Sequence, residues 1–422
     1  MLRDRLAADL ADDELAPGFV RPAWDDYCFA NVPDTVLSVL GDEPEATGPL
    51  PDDVFEGVAT DIDHVVLAFV DGFGWNHFQR VRDDHPLLAR LVDRATVTPL
   101  TSGYPSETAA AVSTIHTGRQ PAEHGVLGWN AYVEALGGTV QTLPFADRDR
   151  TPLTEVRDDP DPAALLDGTT LYERLNAASV LVQPDFGPSL YDSQANRGAS
   201  VVNYTNPAQA AYRARETLER ATEPTYCYCY FPTVDKLSHA SGAAHPETDA
   251  QVGAVCHAIE RELVEKLDSN VAERTLFLLT ADHGEVDTVP ENRVDLGRVD
   301  LESHLARDTN GEPIPALGGP RNLQFHAREG HRDALRATLE DGLTSLDPLI
   351  LDREAIVDEG LFGDREPSSR FLERCPDLLV VPRKGFADEE EGTLANVGMH
   401  GGMAPDEMLV PFAAARVDAL RP

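Results

Sequence analysis

Apolar positions along the chain fall into short runs that alternate with helical patterns. The runs at 64–70, 179–182, 200–204, 226–231 and 275–280 are continuous rather than alternating, which predicts strands buried on both faces. Helical periodicity fills the gaps: one stretch follows Asn206, a second covers about 247–267, and a third about 331–343. This order predicts an α/β fold with a mostly parallel central sheet flanked by helices. In such sheets, sites form in the loops beyond the carboxyl ends of the strands.

The pattern is weaker at both flanks. Residues 1–60 are rich in Asp, Pro and Gly, with one helical patch at 34–40, and are expected to form an extension packing on the core. Residues 61–286 carry the alternating core. Beyond about 287 the chain turns polar and breaks at Gly318-Gly319-Pro320. It then offers a strand at 322–326, a helix, a short run at 349–351 and a strand at 377–381. A small inserted α+β subdomain over 287–375 is expected, with 376–422 returning to the core. The acidic tract 388–391 reads as a solvated loop.

Apolar residues make up 42% of the 422, enough for a large core. No stretch approaches a membrane span, and the first ten residues lack the apolar segment of a secretion signal. Cys28, Cys227, Cys229, Cys256 and Cys375 are too scattered for a disulfide framework and suit buried positions in a reducing cytoplasm. Charge changes the picture more. Asp and Glu total 73 against 35 for Lys and Arg, a net of −38, and lysine occurs only at Lys236, Lys266 and Lys384. Such self-repulsion is screened in concentrated salt, so the surface suits the cytoplasm of a salt-adapted organism. It argues against a nucleic-acid-binding surface, which needs basic patches.

Four stretches, with a fifth near the C-terminus, carry candidate chemistry. Asp71 ends the first buried run. Thr108 opens the Ala-rich segment Thr108-Ala-Ala-Ala-Val-Ser-Thr-Ile-His-Thr-Gly118. Asp235 and His239 are four apart, on one face of a helical turn. Asp282-His283 follows the run at 275–280 directly, and His400 stands among glycines. Singly, a strand-end Asp is most often a turn residue, and an Asp/His pair at this spacing most often a local ion pair. Jointly, three carboxylates and three imidazoles are the donor set of a two-metal site, suited to zinc with manganese as the alternative. Two metals can clamp the attacking and leaving oxygens of a phosphoryl displacement.

This constellation resembles the alkaline phosphatase superfamily and, within it, the type I phosphodiesterase/nucleotide pyrophosphatase family. The resembling blocks span about 65–130, 225–290 and 395–412, and Pro121-Ala-Glu-His-Gly125 resembles the segment after the family's nucleophile helix. The resemblance implies an alkaline-phosphatase-like three-layer sandwich. It implies one metal held by Asp71, Asp282, His283 and Thr108 Oγ, and another by Asp235, His239 and His400. Thr108 would be the nucleophile, forming a phospho-threonine during hydrolysis of a small phosphate ester or nucleotide. A hydroxyl at a helix N-terminus beside a dication suits that role.

The family places an Asn after the His-Gly block to hold a phosphate oxygen. Here Trp129 occupies that register and Asn130 follows it. Asn130 and Lys236 are therefore candidate substrate contacts, and Tyr191, Arg197 and Arg321 candidate pocket residues. Glu107 is expected to face the helix dipole or solvent. Alternatives on the same scaffold are phosphomonoester hydrolysis, phosphonate cleavage or phosphomutase-like transfer. A sulfatase is disfavoured, because Thr108 lacks the Cys/Ser-x-Pro-x-Arg surround. A non-catalytic metal-binding protein would not need Thr108.

Overall fold

The run His64–Val70 is a strand buried at every position and lies in the middle of a seven-stranded sheet. The sheet belongs to a computed structural model that describes residues 1–43, 48–187 and 189–422. Its strand order is Thr96–Thr101, Leu409–Arg416, Thr275–Thr280, His64–Val70, Thr225–Phe231, Ala178–Pro184, Ser200–Tyr204. The last five run parallel. Leu409–Arg416 runs antiparallel to both its neighbours, which leaves Thr96–Thr101 pointing the same way as the rest. The protein is thus a mixed α/β fold with a mostly parallel central sheet.

Continuous apolar runs form these strands because helices cover the sheet. Pro207–Arg220, capped by the Asn206 side chain, packs on Thr225–Phe231 and on Pro246–Ile259. The helix expected over 247–267 is observed as Pro246–Ile259 continuing through a π-turn at Glu260–Val264. The N-terminal residues join the same core. Leu2 bridges Val97, and Val32, Val36, Leu50 and Val54 are buried in the main apolar cluster. All five cysteines are free and buried.

A second, antiparallel sheet of six strands stands beside the first: Leu349–Asp352, Leu378–Val381, Asn322–Phe325, Leu317–Gly319, Asn130–Val133, Gly138–Gln141. It crosses the boundaries expected from sequence. Two of its strands come from within 61–286, and Leu378–Val381 belongs to it rather than to the central sheet. Those two, Asn130–Val133 and Gly138–Gln141, are short and pair with each other, and Asn130 opposite Gly318 joins them to the rest of the sheet.

The topology directs several loops to one end. Asp71, the Thr233–Ser241 helix and Asp282-His283 all follow the carboxyl ends of adjacent parallel strands. The Thr108–Thr117 helix follows Thr96–Thr101. Leu409–Arg416 is antiparallel, so its beginning lies at that same end, with Leu409 opposite Thr101. The chain around His400 is delivered there.

Candidate active site

The Asp71 turn is the meeting point. Gly72 adopts φ +74°, and a Cβ at this residue would lie 2.9 Å from the Asp235 Cα. A side chain there would drive the two loops apart. The bare backbone instead lets Asp235 N–H donate to the Asp71 carbonyl at 3.1 Å and Gly72 N–H donate to Asp282 Oδ1 at 3.1 Å.

Two groups of donors result. Asp71, Asp282 and His283 form one, and Asp235, His239 and His400 the other. Within each group the ligand-type atoms lie within 4.8 Å of one another. All three imidazoles are oriented alike. His283 Nδ1 donates to the Gly284 carbonyl at 3.0 Å, His239 Nδ1 to Gly398 at 2.9 Å, and His400 Nδ1 to Ser106 at 2.9 Å. A carbonyl can only accept, so each neutral ring presents its Nε2 lone pair inward.

Those lone pairs face carboxylate oxygens. His283 Nε2 is 3.4 Å from Asp71 Oδ1 and 3.3 Å from Asp282 Oδ2. Asp235 Oδ1 is 3.3 Å from His239 Nε2 and 3.5 Å from His400 Nε2. These three carboxylate oxygens are buried and have no hydrogen-bond partner. Lone pair facing lone pair is repulsive unless a cation lies between, so the donor set fits one divalent ion per group.

The electrostatics agree. Burial, reinforced by Asp282 and Asp235, pushes the Asp71 carboxyl well above its usual range. Burial also raises Asp282, with His283 opposing. Burial tends to raise Asp235 too, but His239, His400 and His283 outweigh it and hold it low. Burial, with His283 beside it, drives His400 well below the ordinary imidazole value. A buried cluster of carboxyls is relieved by bound positive charge.

Thr108 begins its helix and is half-buried, with Oγ1 3.2 Å from His283 Nε2. It lies in a cavity of about 610 Å³ whose lining includes Asp235, His239, His400, Trp129 and Asn130. A larger cleft of about 960 Å³, lined by Arg293, Arg298 and Thr338, contains none of the expected site residues.

Several expected contacts lie elsewhere. Lys236 is exposed and is not part of the cavity lining. Its helix turns Asp235 inward, and the next residue points away. Tyr191 is buried against Ser113, Arg197 pairs with Glu173, and Arg321 is fully buried on Glu407. Glu107 faces neither its own helix nor solvent. It is 4% exposed, caps nothing in the Thr108 helix, and burial raises its pKa to about 8.

Two neighbours escaped the sequence reading. Tyr230 donates its hydroxyl to Asp71 Oδ2 from the adjacent strand, on the same face as Tyr228. Glu285 lies buried against Asp235, and burial together with that carboxylate raises its own carboxyl well above the usual range. An acid two residues after His283 was the available signal for it.

Comparison with known proteins agrees with this architecture. No curated protein matches the chain in sequence. Among solved structures, murine ectonucleotide pyrophosphatase/phosphodiesterase 5 superposes with a TM-score of 0.64 at 15% identity, covering 83% of this chain and 87% of its own. An inactive form of that murine protein in complex with AMP gives 0.62 at 16%, with the same coverage. Phosphonoacetate hydrolase from Sinorhizobium meliloti 1021, in complex with phosphonoformate, gives 0.58 at 16%, covering 85% and 95%. The profile of the type I phosphodiesterase/nucleotide pyrophosphatase family matches residues 65–403, most of the chain. The chain belongs to that family, within the alkaline phosphatase superfamily, and is a phosphoric ester hydrolase.

Proposed function

We propose that the protein hydrolyses phosphodiester or nucleotide pyrophosphate bonds of small molecules through a phospho-threonine at Thr108. The observation that carries this reading is that Thr108 Oγ1 lies 3.2 Å from His283 Nε2 of one three-donor group, in the cavity that the other group lines. Asp71, Asp282 and His283, with Thr108 Oγ, would hold one divalent ion, and Asp235, His239 and His400 a second. Three imidazoles and three carboxylates suit zinc, with manganese the alternative. Bound there, the ions supply charge stabilisation and a lowered hydroxyl pKa.

The chain's own residues do the rest. The helix N-terminus at Thr108 directs backbone N–H groups toward phosphate oxygens. Thr108 Oγ bonds to phosphorus as the bond to the leaving oxygen breaks, and water then cleaves the phospho-threonine and restores the hydroxyl. Asn130 is available on the wall for a phosphate oxygen.

Charge favours a diester. Among the described residues, the only Lys or Arg side chains lining the cavity are Arg148 and Arg150, and these pair with Glu389 at 2.8 Å and Glu390 at 2.7 Å. Among the described residues, neither cavity guanidinium is left free for the second charge of a monoester dianion. The likeness to phosphonoacetate hydrolase supports phosphonate cleavage as a second reading. The acidic surface and the free cysteines favour the cytoplasm of a salt-adapted organism. Among the described residues, no helix is long and apolar enough to cross a membrane.

The test compares bis-p-nitrophenyl phosphate with p-nitrophenyl phosphate, using protein loaded with zinc or manganese in concentrated salt. Faster turnover of the diester is expected. Preference for the monoester would overturn the diester reading, and inactivity on both would overturn ester hydrolysis at this site.

A further inference from the structure

Glu107 immediately precedes Thr108, yet its side chain is used elsewhere. It makes no cap to its own helix and is buried. Oε2 accepts the backbone N–H of Trp129 at 2.8 Å, and Oε1 accepts an Asn322 Nδ2–H at 3.1 Å. Three glycines close around the carboxylate. A Cβ at Gly128 would lie 2.9 Å from Oε2, one at Gly319 2.4 Å from Oε1, and one at Gly401 3.0 Å from Oε1. Four remote segments therefore converge on one carboxylate: the head of the Thr108 helix, the Gly128–Trp129 turn, the hairpin from Gly319 to Asn322, and the residue after His400.

The convergence extends into a connected network. Asn322 Oδ1 accepts the Tyr104 hydroxyl at 3.0 Å, and Asn322 Nδ2 also donates to the Leu127 carbonyl at 2.9 Å. Gln324 Nε2 donates to the same carbonyl at 2.6 Å. Tyr104 and Glu107 belong to the loop after the central sheet, whereas Asn322, Gln324 and the strand starting at Asn130 belong to the second sheet. A buried Glu carboxyl that holds two N–H donors, with no cation paired to it, strands both donors if its oxygens are removed.

We infer that Glu107 is a positioning residue: it clamps the second-sheet wall of the substrate cavity, Trp129 and Asn130 on one side and Gly319 on the other, at a set distance from Thr108. Displacement of about 1 Å between a reacting group and the surface that orients its substrate lowers turnover by roughly a hundredfold. The catalytic consequence rests on the proposed role of Thr108. The clamp itself does not, and it can be read separately.

Trp129 provides the separate reading. It is 38% exposed on the cavity wall, whereas Trp24 and Trp75, the other two tryptophans, are buried at 6% and 4%. Acrylamide quenching of tryptophan fluorescence therefore reports chiefly on Trp129. Glu107→Leu removes both acceptor oxygens, leaves the Trp129 N–H and an Asn322 N–H without their partner, and should release the wall. In the metal-loaded full chain we expect quenching to rise at least about twofold, and kcat/KM on bis-p-nitrophenyl phosphate to fall at least about tenfold, with metal content unchanged. Asn322→Ala, which removes a donor and leaves Glu107 in place, should move both readouts the same way, and it serves alone if Glu107→Leu does not fold. Unchanged quenching in the folded variants overturns the inference, whatever the activity. Raised quenching with wild-type turnover removes the catalytic consequence. A wild-type protein inactive on phosphodiesters counts against the proposed function and leaves the quenching result to decide the clamp.

Discussion

The imidazoles of His283 and His400 stack face to face, with ring centroids 3.6 Å apart and planes 8° apart. Each belongs to a different donor group, so the groups share a wall and neither is positioned alone. His400→Ala takes a donor from one group and a packing face from the other. After dialysis, metal analysis of this variant is expected to find about one divalent ion per chain against about two in the wild type, and turnover should fall by at least ~100-fold. Two retained ions with normal turnover would remove His400 from the centre.

Thr108 makes a sharper prediction, because its hydroxyl is the reacting group and the rest of its side chain is one methyl. Thr108→Ala should lower kcat by on the order of a thousandfold or more, while Thr108→Ser keeps a substantial part of it. Circular dichroism melting should be nearly unchanged in both, since position 108 is only half-buried. Full activity in Thr108→Ala would exclude the covalent route.

What could be read in the sequence follows from how local each signal is. Asp71 and Asp282-His283 were legible because a continuous apolar run must end at a sheet edge, and polar residues placed there have few structural uses. The parallel sheet was legible for the same reason. The second sheet was not. Asn130–Val133 and Gly138–Gln141 are short and pair with each other, and the place of this hairpin in the sheet is set by Asn130 opposite Gly318, nearly 190 residues away in the chain. Arg321 read as a pocket residue because the carboxylate that buries it, Glu407, lies 86 residues on. Glu107 read as a dipole or solvent acid because its partners Trp129 and Asn322 lie 22 and 215 residues away. Local pattern carries the ligand loops, and only the tertiary structure carries the groups that hold those loops together.

His116, in the helix that Thr108 opens, predicts acid sensitivity. It packs on Tyr172 and Tyr228, and burial pushes its pKa down to about 3. An unfolded histidine titrates near 6.5. As pH falls below about 6.5 the unfolded chain takes up a proton that the native site refuses. This stabilisation is complete above that pH and is lost progressively down to about 3. Glu107, raised to about 8, acts in the opposite sense, since its protonation favours the fold as pH falls from about 8 toward the ordinary carboxylate range. Comparing the wild type with His116→Gln isolates the histidine. In urea titrations between pH 6 and 4, the variant's stability should fall less steeply, by about 1.4 kcal/mol per pH unit. Equal slopes would show that His116 is protonated in the fold.

Net charge predicts a salt response. With −38 on the chain, raising KCl from about 0.1 M to about 2 M shortens the screening length from about 10 Å to below 3 Å. Thermal melting should move upward by at least about 5 °C. A melting temperature that falls with KCl would contradict the salt-adapted reading.

The Arg321–Glu407 pair sets the cost of the architecture around His400. Both side chains are fully buried. Arg321 Nε and Nη2 each donate to a Glu407 oxygen at 2.6 Å, and Arg321 also donates to the carbonyls of Gly385 and Pro382. Glu407 accepts the backbone N–H groups of Gly402 at 2.8 Å and Ala404 at 3.1 Å, just beyond His400. The pair therefore fastens the second-sheet hairpin to the loop that delivers the last imidazole. Removing one partner leaves a buried charge without compensation, so Arg321→Met or Glu407→Leu should each cost about 3–5 kcal/mol in urea denaturation. The double variant leaves neither charge, and its cost should be smaller than the sum of the two singles by more than about 1 kcal/mol. Its loop would still lack the carboxylate that holds Gly402, so metal content should drop even where stability is recovered. Strict additivity of the two substitutions would mean that the pair does not act as one unit, and that the His400 loop is held by its glycine-rich backbone alone.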